Sequence, residues 1–359
     1  MQVLAIDIGG GTQDILLWDT STTAENAIQL VLPSPTVLVA QRISRATARK
    51  EPVVLVGETM GGGPCTTALR EHLEAGQAAY ATEQAALTFH DDLKRVASWG
   101  VRLVSHDEAK TVKGTVIRTA DVDLGVLQKA LATWGIPLAP QAVAVAVLDH
   151  GFAPDAESQR LSRFRYLERL LQKSPSLESF IFTRQELPDY LTRMQAVVRS
   201  VGEYPLVVMD TGPAAALGAL LDRAVGAHQD CLTVNLGNSH ALAFNLSGTR
   251  VLGMLEHHTG MLTREHLEAL LDKLVSGRLK FREVWEEGGH GSLVFAPGDR
   301  PFLTVTGPRR KLLASSPRQP YLAAPFGSMM LAGGFGLVRA VAVKYPQWRE
   351  ELQKALLLP

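Results

Sequence analysis

The feature that most constrains the fold is a glycine cluster between two apolar runs near the N-terminus, where residues 5–19 read AIDIGGGTQDILLWD. The run after the glycines is short, apolar and aromatic, which predicts a second strand rather than a helix. The stretch therefore predicts a β-hairpin whose turn contains Gly9, Gly10 and Gly11. Since glycine tolerates positive φ, successive backbone N–H groups of such a turn can point into one concavity that suits an anion.

Two polar side chains flank this turn. Asp7 ends the first strand, where a carboxylate can hold a water molecule of bound Mg²⁺, and Thr12 adds a hydroxyl group after the glycines. The stretch is not a P-loop, because the chain has no Gly-Lys dipeptide, and it does not run into a helix as a dinucleotide fingerprint does. A plain hairpin whose turn needs glycine for its geometry is the alternative interpretation.

A second hairpin of similar design lies at residues 231–255, which read CLTVNLGNSHALAFNLSGTRVLGML. An apolar strand again ends in a short polar turn, and an apolar strand returns from it. Aligning the two hairpins places Asn235 on Asp7, Gly237 on Gly9 and Ser239 near Thr12. Two hairpins with matching polar turns indicate a weak internal repeat, one copy in each half of the chain.

Three further segments combine turns with small-residue runs. Residues 205–222, PLVVMDTGPAAALGALLD, predict a buried strand, a turn that contains Asp210 and an alanine-rich helix. Residues 301–313, PFLTVTGPRRKLL, predict a strand, a turn at Gly307 and a helix. Residues 324–342, APFGSMMLAGGFGLVRAVA, predict a second helix of small residues that can pack closely against another helix.

The order of these segments resembles the actin-like ATPase superfamily, which includes actin, the 70-kDa heat-shock chaperones and sugar kinases. The resemblance implies an α/β protein with the two-lobed, ribonuclease H-like fold, in which mixed sheets carry helices on both faces. It implies a first lobe over residues 1–202 and a second lobe over residues 203–359, with ATP and Mg²⁺ bound between them. Nucleotide-binding roles are then implied at Asp7, Gly9, Gly10, Gly11, Thr12, Gly237, Asn238, Ser239 and Gly307.

The resemblance also implies roles for two carboxylates and one departure from the family pattern. Asp7 is the implied contact to the metal, and Asp210 is the implied residue near the attacking nucleophile. Gly333 and Gly334 compete with Gly307 for the adenosine side. Asn235 stands where relatives usually have Asp, and an amide brings no negative charge to Mg²⁺. This change is compatible with nucleotide binding more readily than with fast hydrolysis.

The motifs MGGGP, DHG, EHHTG, GGHG and APFGSMMLAGGFG resemble one family in that superfamily, whose members carry the name of a pyruvate formate-lyase activating enzyme. The cysteine count contradicts that name. A four-iron cluster needs about three or four thiolates, and the chain has only Cys65 and Cys231. Radical chemistry on a cysteine-ligated cluster is therefore excluded.

Histidines occupy three unusual loops, DHG at His150, EHHTG at His258 and EEGGHGS at His290. Three interpretations stay open, namely metal ligands, acid–base or substrate-contacting groups, and unconnected hydrogen-bonding residues. If the second interpretation holds, a substrate between the lobes must meet all three beside the terminal phosphate. We therefore expect His150, His258 and His290 to line the same cleft as Asp7 and to act in catalysis with Asp210.

The middle of the chain offers two more candidates for anion binding. Gly61–Gly63 and Pro64 precede a predicted helix near residues 65–75, whose N-terminus either binds an anion or packs on the sheet as a plain turn. The basic helix ESQRLSRFRYLERLLQK carries Arg160, Arg163 and Arg165, which predict a solvated face, with an anionic substrate as the alternative partner.

Composition limits the partners and the compartment. Lys+Arg and Asp+Glu are equal at 36 each, so no basic surplus indicates nucleic acid. No signal peptide or membrane segment is evident, and few cysteines favour a cytoplasmic location. We expect an ATP-dependent phosphotransferase or ATPase acting on an unknown small metabolite, without nucleic-acid or membrane partners. The alternatives are a non-catalytic nucleotide-dependent switch and a fold relative that has lost ATP binding.

Overall fold

The computed structural model describes residues 1–153 and 158–357. The strands are β1 Gln2–Ile8, β2 Thr12–Asp19, β3 Ile28–Pro33, β4 Val53–Gly57, β5 Ala79–Ala81, β6 Val101–Leu103, β7 Thr115–Thr119, β8 Ala142–Val147, β9 Phe182–Thr183, β10 Leu206–Met209, β11 Asp230–Leu236, β12 His240–Ser247, β13 Arg250–His258, β14 Gly291–Val294, β15 Phe302–Thr306 and β16 Tyr321–Leu322.

The α-helices are α1 Pro35–Ala48, α2 Gly63–Glu74, α3 Glu83–Ala86, α4 Leu93–Ser98, α5 His106–Thr111, α6 Leu124–Ala132, α7 Gln159–Lys173, α8 Thr192–Val201, α9 Thr211–Ala219, α10 Arg223–Gly226, α11 Arg264–Val275, α12 Phe281–Glu286, α13 Ala332–Lys344 and α14 Pro346–Ala355. Short 3₁₀ helices lie at Ala24–Asn26, Leu177–Phe180, Thr259–Met261, Arg310–Leu313 and Pro325–Gly327. Within the described ranges, none of these helices is long and apolar enough to cross a bilayer.

Two six-stranded mixed sheets have the same plan, and they confirm the expected α/β fold. The first sheet has the order β3-β2-β1-β8-β10-β9, and the second has the order β14-β13-β12-β11-β15-β16. In each, an antiparallel hairpin joins a parallel neighbour, β1 to β8 in the first sheet and β11 to β15 in the second. The two predicted hairpins are therefore equivalent elements of two similar sheets.

A smaller parallel sheet, β6-β5-β4-β7, lies within the first half of the chain, between β3 and β8 in sequence. It has its own buried core, to which Cys65, Leu69 and Ile117 contribute. The boundary expected for the first lobe, at residue 202, leaves out one strand of the first sheet. The reason is that β10, Leu206–Met209, pairs in parallel with β8.

Helices α9 and α13 pack against each other, and α13 also packs on β1, β8 and β10 of the first sheet. Their close approach depends on glycine. A Cβ on Gly218 would collide with the carbonyl oxygen of Ala332, and a Cβ on Gly336 would collide with that of Ala214. The small-residue runs predicted as close-packed helices are thus in direct backbone contact, and α13 begins at the edge of the cavity described next.

Candidate functional site

A cavity of about 380 Å³ lies between the two hairpin turns. It is lined from the first hairpin by Asp7, Gly9, Gly10 and Thr12, and from the second by Asn235, Gly237, Asn238 and Ser239. Gly11 is not part of the lining, although it belongs to the same turn. Residues from both halves of the chain therefore meet around one cleft, as the repeat predicts.

The same hydrogen bond closes both turns. The Gly9 N–H donates to the Thr12 carbonyl at 2.9 Å, and the Gly237 N–H donates to the His240 carbonyl at 2.9 Å. This equivalence aligns His240 with Thr12, so Ser239 corresponds to Gly11 rather than to Thr12. The hydrogen bonds thus have the same offset that places Asn235 on Asp7 and Gly237 on Gly9 in the sequence.

Glycine is required in the first turn for space and not for backbone angle. Gly9, Gly10 and Gly11 all lack the positive φ expected from the sequence. A Cβ on Gly10 would instead collide with the Ser239 side chain, and one on Gly11 would collide with Asn238. The two turns are therefore in contact across the cavity, and any larger side chain on the first turn displaces the second.

Asp7 and Asp14 form an acidic pair at the base of the cavity. They are directly opposite each other in the register of β1 and β2. Oδ1 of each residue is buried and has no hydrogen-bond partner. Burial, and then the neighbouring Asp14 carboxyl, raises the pKa of Asp7. Burial raises the pKa of Asp14 to about 7. A pair of carboxylates without a counter-charge fits a hard divalent cation such as Mg²⁺.

The N-terminus of α13 reaches this acidic pair. Gly333 lines the cavity, and a Cβ there would collide with the Asp7 carboxylate. Gly307, after β15, also lines the cavity, has a φ of +95° and donates its N–H to the Met329 sulfur at 3.0 Å. Gly334 is not in the lining. Both predicted adenosine-side glycines, Gly307 and Gly333, therefore contact the same space. The helix predicted after Gly307 is only the 3₁₀ segment Arg310–Leu313.

The start of α2 also lies at the cavity. Gly61, Gly62, Gly63 and Pro64 are part of the lining. Pro64 has no amide hydrogen, and the Cys65 N–H donates to Thr36 Oγ1 at 3.2 Å and to the Gly62 carbonyl at 3.0 Å, so neither residue offers a free donor to an anion. The segment therefore shapes the cavity through its backbone.

Asp210 does not line the cavity. Its carboxylate accepts a hydrogen bond from Gly212 N–H at 3.3 Å, which caps α9, and forms an ion pair with Arg163 at 2.7 Å. Both side chains are buried. The role predicted for Asp210 beside the nucleophile remains a prediction, and any such role must pass through another group, because this carboxylate is already engaged.

Arg163 is buried instead of lying on the solvated face predicted for α7. Besides Asp210, it contacts Glu256 at 2.9 Å and donates to the Asp149 carbonyl at 2.7 Å. It thereby joins the first sheet, the start of α9 and β13. Arg160 also binds protein and donates to the Gly288 carbonyl at 2.6 Å, whereas Arg165 is exposed as predicted.

The three predicted histidines lie together. His150 and His258 line the cavity with Asp7. His290 lies behind them, with its ring centroid 6.0 Å from that of His150 and 4.7 Å from that of His258. His240, which the sequence analysis did not single out, also lines the cavity, and its ring centroid is 4.8 Å from that of His290. Burial lowers the pKa of His150 and of His290 to about 3.

Two of these functional candidates had no separate motif in the sequence. Asp14 becomes visible only through the hairpin register, which sets it opposite Asp7. His240 becomes visible when the alignment of Gly237 on Gly9 is continued to Thr12. Both could have been found by applying the two-residue periodicity of a strand from the turn outward.

The solved structures that resemble this chain are distant. The structure of EutJ, an ethanolamine utilization protein from Carboxydothermus hydrogenoformans, matches with 11% identity over 94% of this chain and 89% of that chain, at a TM-score of 0.35. A ROK hexokinase from Thermus thermophilus matches with 16% identity over 99% and 88% of the chains, at a TM-score of 0.24.

A ROK family transcriptional regulator, a homolog of the E. coli MLC protein, matches with 11% identity and a TM-score of 0.24 over 70% of this chain. This chain spans only 38% of the length of that regulator. None of the curated proteins matches the chain.

One family profile matches the sequence over residues 60–312, and its description reads "Putative pyruvate format-lyase activating enzyme (DUF1786)". The chemistry in that description does not fit the residues. The two cysteines of the chain are both buried and lie in separate hydrophobic clusters, so they cannot supply the thiolates of an iron–sulfur cluster. The match extends over most of the chain, which therefore belongs to the DUF1786 family.

Proposed function

We propose that this protein binds ATP with Mg²⁺ between its two hairpin turns and uses it as a phosphotransferase or ATPase acting on a small metabolite. The observation that carries the proposal is the cavity in which the turn at Gly9–Gly11 and the turn at Gly237–Ser239 meet beside the acidic pair Asp7 and Asp14. Neither a plain hairpin nor a core turn needs this combination.

The size and the charge of the cavity support this assignment. About 380 Å³ lies within the usual range of small-molecule sites, roughly 300–1,000 Å³. Backbone amides of two turns and the first turn of α13 suit phosphate oxygens. The partnerless Oδ1 atoms of Asp7 and Asp14 are suited to hold Mg²⁺ through its water shell. When bound, Mg²⁺ neutralises charge on the phosphates.

Chemistry in such a site is mainly positioning and electrostatic stabilisation. His150 and His258 line the same cavity. Burial lowers the pKa of the His150 ring, so this ring is neutral near pH 7 and can accept a hydrogen bond from a substrate hydroxyl. Asp210 fixes Arg163 and the start of α9, which makes it a positioning residue in this proposal.

A non-catalytic nucleotide switch is the second candidate, and Asn235 is the observation that favours it. Its amide donates to Thr306 Oγ1 at 3.0 Å and places no negative charge in the cavity. The buried histidines favour the enzyme, because a switch that only opens and closes has no need of neutral bases beside the phosphates.

The test is a thermal-shift series with ATP, ADP and GTP, each with Mg²⁺ and with a chelator. At about 100 times its Kd, a ligand adds about 2.7 kcal/mol of apparent stability. We expect Asp7→Ala to lose the Mg²⁺-dependent part of the ATP shift, while the control Asp299→Asn, in an exposed loop, keeps it. No shift with any nucleotide would refute the proposal. A shift without transfer of the γ-phosphoryl group of ATP to any tested small-molecule acceptor or to water would favour the switch.

A further inference from the structure

Three histidines form a cluster where three adjacent strands of the second sheet begin or end. His240 begins β12 and lies opposite His258, which ends β13. His290 precedes β14, and its backbone N–H donates to the Glu256 carbonyl at 3.0 Å. The antiparallel register brings His240 and His258 together at this end of the sheet, and His290 joins them from the turn that precedes β14.

The ring nitrogens of this histidine cluster are close enough to share an ion. One ligand atom from each of His240, His258 and His290 lies within 4.8 Å of the others. A tetrahedral zinc with Zn–N bonds of about 2.0–2.1 Å holds its nitrogens about 3.3 Å apart. The rings therefore need to close by at most about 1.5 Å, which is within the reach of side-chain rotation.

The unpaired nitrogens distinguish this cluster from an ordinary buried histidine. His72, which is fully buried, uses both ring nitrogens, Nδ1 with Thr47 Oγ1 at 2.8 Å and Nε2 with the Ala78 carbonyl at 3.2 Å. His290 is also buried, yet neither of its ring nitrogens has a hydrogen-bond partner. Buried polar atoms are usually satisfied, so a missing partner requires an explanation.

A carboxylate beside the cluster supplies the outer support that metal-binding histidines usually have. Glu256 Oε1 lies 3.1 Å from His290 Nδ1, without forming an aligned hydrogen bond, and the other oxygen is held by Arg163 at 2.9 Å. A carboxylate that orients a histidine ring leaves the second ring nitrogen free for an ion. Arg163 faces two carboxylates, Glu256 and Asp210, so these three groups leave one formal negative charge when both acids are ionised.

We propose that His240, His258 and His290 bind one divalent transition-metal ion of the Zn²⁺ type, with a coordination position open to the cavity. Two of the three ligands line that cavity, where the phosphate-binding turns are also found. Three protein ligands with one open position is the arrangement of catalytic rather than structural zinc sites. The assignment stands on the histidine geometry and does not require that ATP binds.

The test is metal titration of the full chain after removal of metals by a chelator, in the absence of nucleotide. Binding of Zn²⁺ is measured by calorimetry, and Co²⁺ is used as a spectroscopic probe of coordination. We expect one ion per chain and a visible Co²⁺ spectrum typical of nitrogen ligands in tetrahedral or five-coordinate geometry. His106→Ala, which removes an exposed histidine on α5, serves as the matched control and should bind normally.

His258→Ala and His290→Ala should each weaken Zn²⁺ binding at least about 100-fold, because loss of an outer-shell partner alone typically costs about 10–100-fold. Circular dichroism and thermal unfolding of the metal-free variants establish whether they are folded. One folded variant of the two is enough to interpret the Zn²⁺ binding test. Failure of the wild-type chain to bind Zn²⁺ or Co²⁺, or equal affinity in both variants and the control, would overturn the assignment. Failure of the nucleotide test leaves this result unaffected.

Discussion

Replacing Asp14 by Asn should stabilise the metal-free protein, and the gain should grow with pH. Asp14 is 8% exposed, and its Oδ1 has no hydrogen-bond partner. Burial raises its pKa from 3.8 to about 7, while Thr12 opposes the shift and Asp7 lies opposite on β1. A carboxyl with a raised folded pKa binds its proton more tightly when folded. Stability is therefore lost as pH rises from about 4 to about 7.

The magnitude follows from those two pKa values. At pH 5 the raised pKa costs the wild type about 2 kcal/mol, and at pH 8 it costs about 4 kcal/mol. The variant has no carboxyl at this position, so its advantage over the wild type should increase by about 2–3 kcal/mol between pH 5 and pH 8. Any penalty for an unpaired amide is the same at both pH values and cancels from this difference.

The assay is urea unfolding of wild type and Asp14→Asn at pH 5 and pH 8, with a chelator present. Titrating groups away from the acidic pair are common to both proteins and contribute equally. Loss of the Asp14 carboxyl also lowers the pKa of Asp7, which adds to the advantage of the variant in the same direction as pH rises. Asp299→Asn, an exposed aspartate, serves as the control and should show no pH-dependent difference from the wild type. The result to look for is a free energy of unfolding that differs between wild type and Asp14→Asn by the same amount at both pH values, within about 0.5 kcal/mol. In that case Asp14 is ionised at both pH values, and the raised pKa of Asp14 is refuted.

Three further outcomes are expected. Asp210→Ala should lower the free energy of unfolding by about 3–5 kcal/mol, measured in urea, because it leaves the buried guanidinium of Arg163 short of one partner. Gly10→Ala should weaken nucleotide binding in the thermal-shift assay, because the new methyl group meets the Ser239 side chain. Adding Ser239→Gly to this variant should restore binding, with a coupling energy between the two substitutions of about 0.5–3 kcal/mol. Gly218→Ala should destabilise the chain by at least about 1–3 kcal/mol in urea, since its Cβ collides with backbone.

The hairpins were predictable because their evidence is local. Alternating apolar residues and a glycine turn define a hairpin within about 15 residues of sequence. The similarity of the two turns then indicated that they are equivalent, and the structure places them on equivalent strands. The sequence led us to expect positive φ at the glycines of the first turn, and this expectation was wrong for a physical reason. A side chain on Gly10 or Gly11 would collide with a turn more than 200 residues away in the sequence. Local backbone preferences cannot predict such a contact.

The environment of Arg163 and Asp210 could not be predicted for a related reason. An amphipathic pattern states which helix face is polar on average, but it does not identify a charged residue whose partners come from other elements. Arg163 on α7 contacts Asp210 and Glu256, 47 and 93 positions away along the chain. Such ion pairs depend on the tertiary fold. They allow a charged residue to be buried although the helix pattern predicts that it is exposed.

The two similar hairpin turns offer different ligand atoms to one cavity. Hydrogen-bond equivalence of the turns places Asn235 on Asp7 and His240 on Thr12. By the same spacing, Leu242 falls on Asp14, so the second hairpin has lost both carboxylates of the first. The first copy offers oxygen atoms, which suit Mg²⁺, and the second offers imidazole nitrogens, which suit Zn²⁺ and its neighbours. In the two proposals above, the first turn therefore supplies the oxygen ligands of one cation, and the second turn contributes a nitrogen ligand of the other.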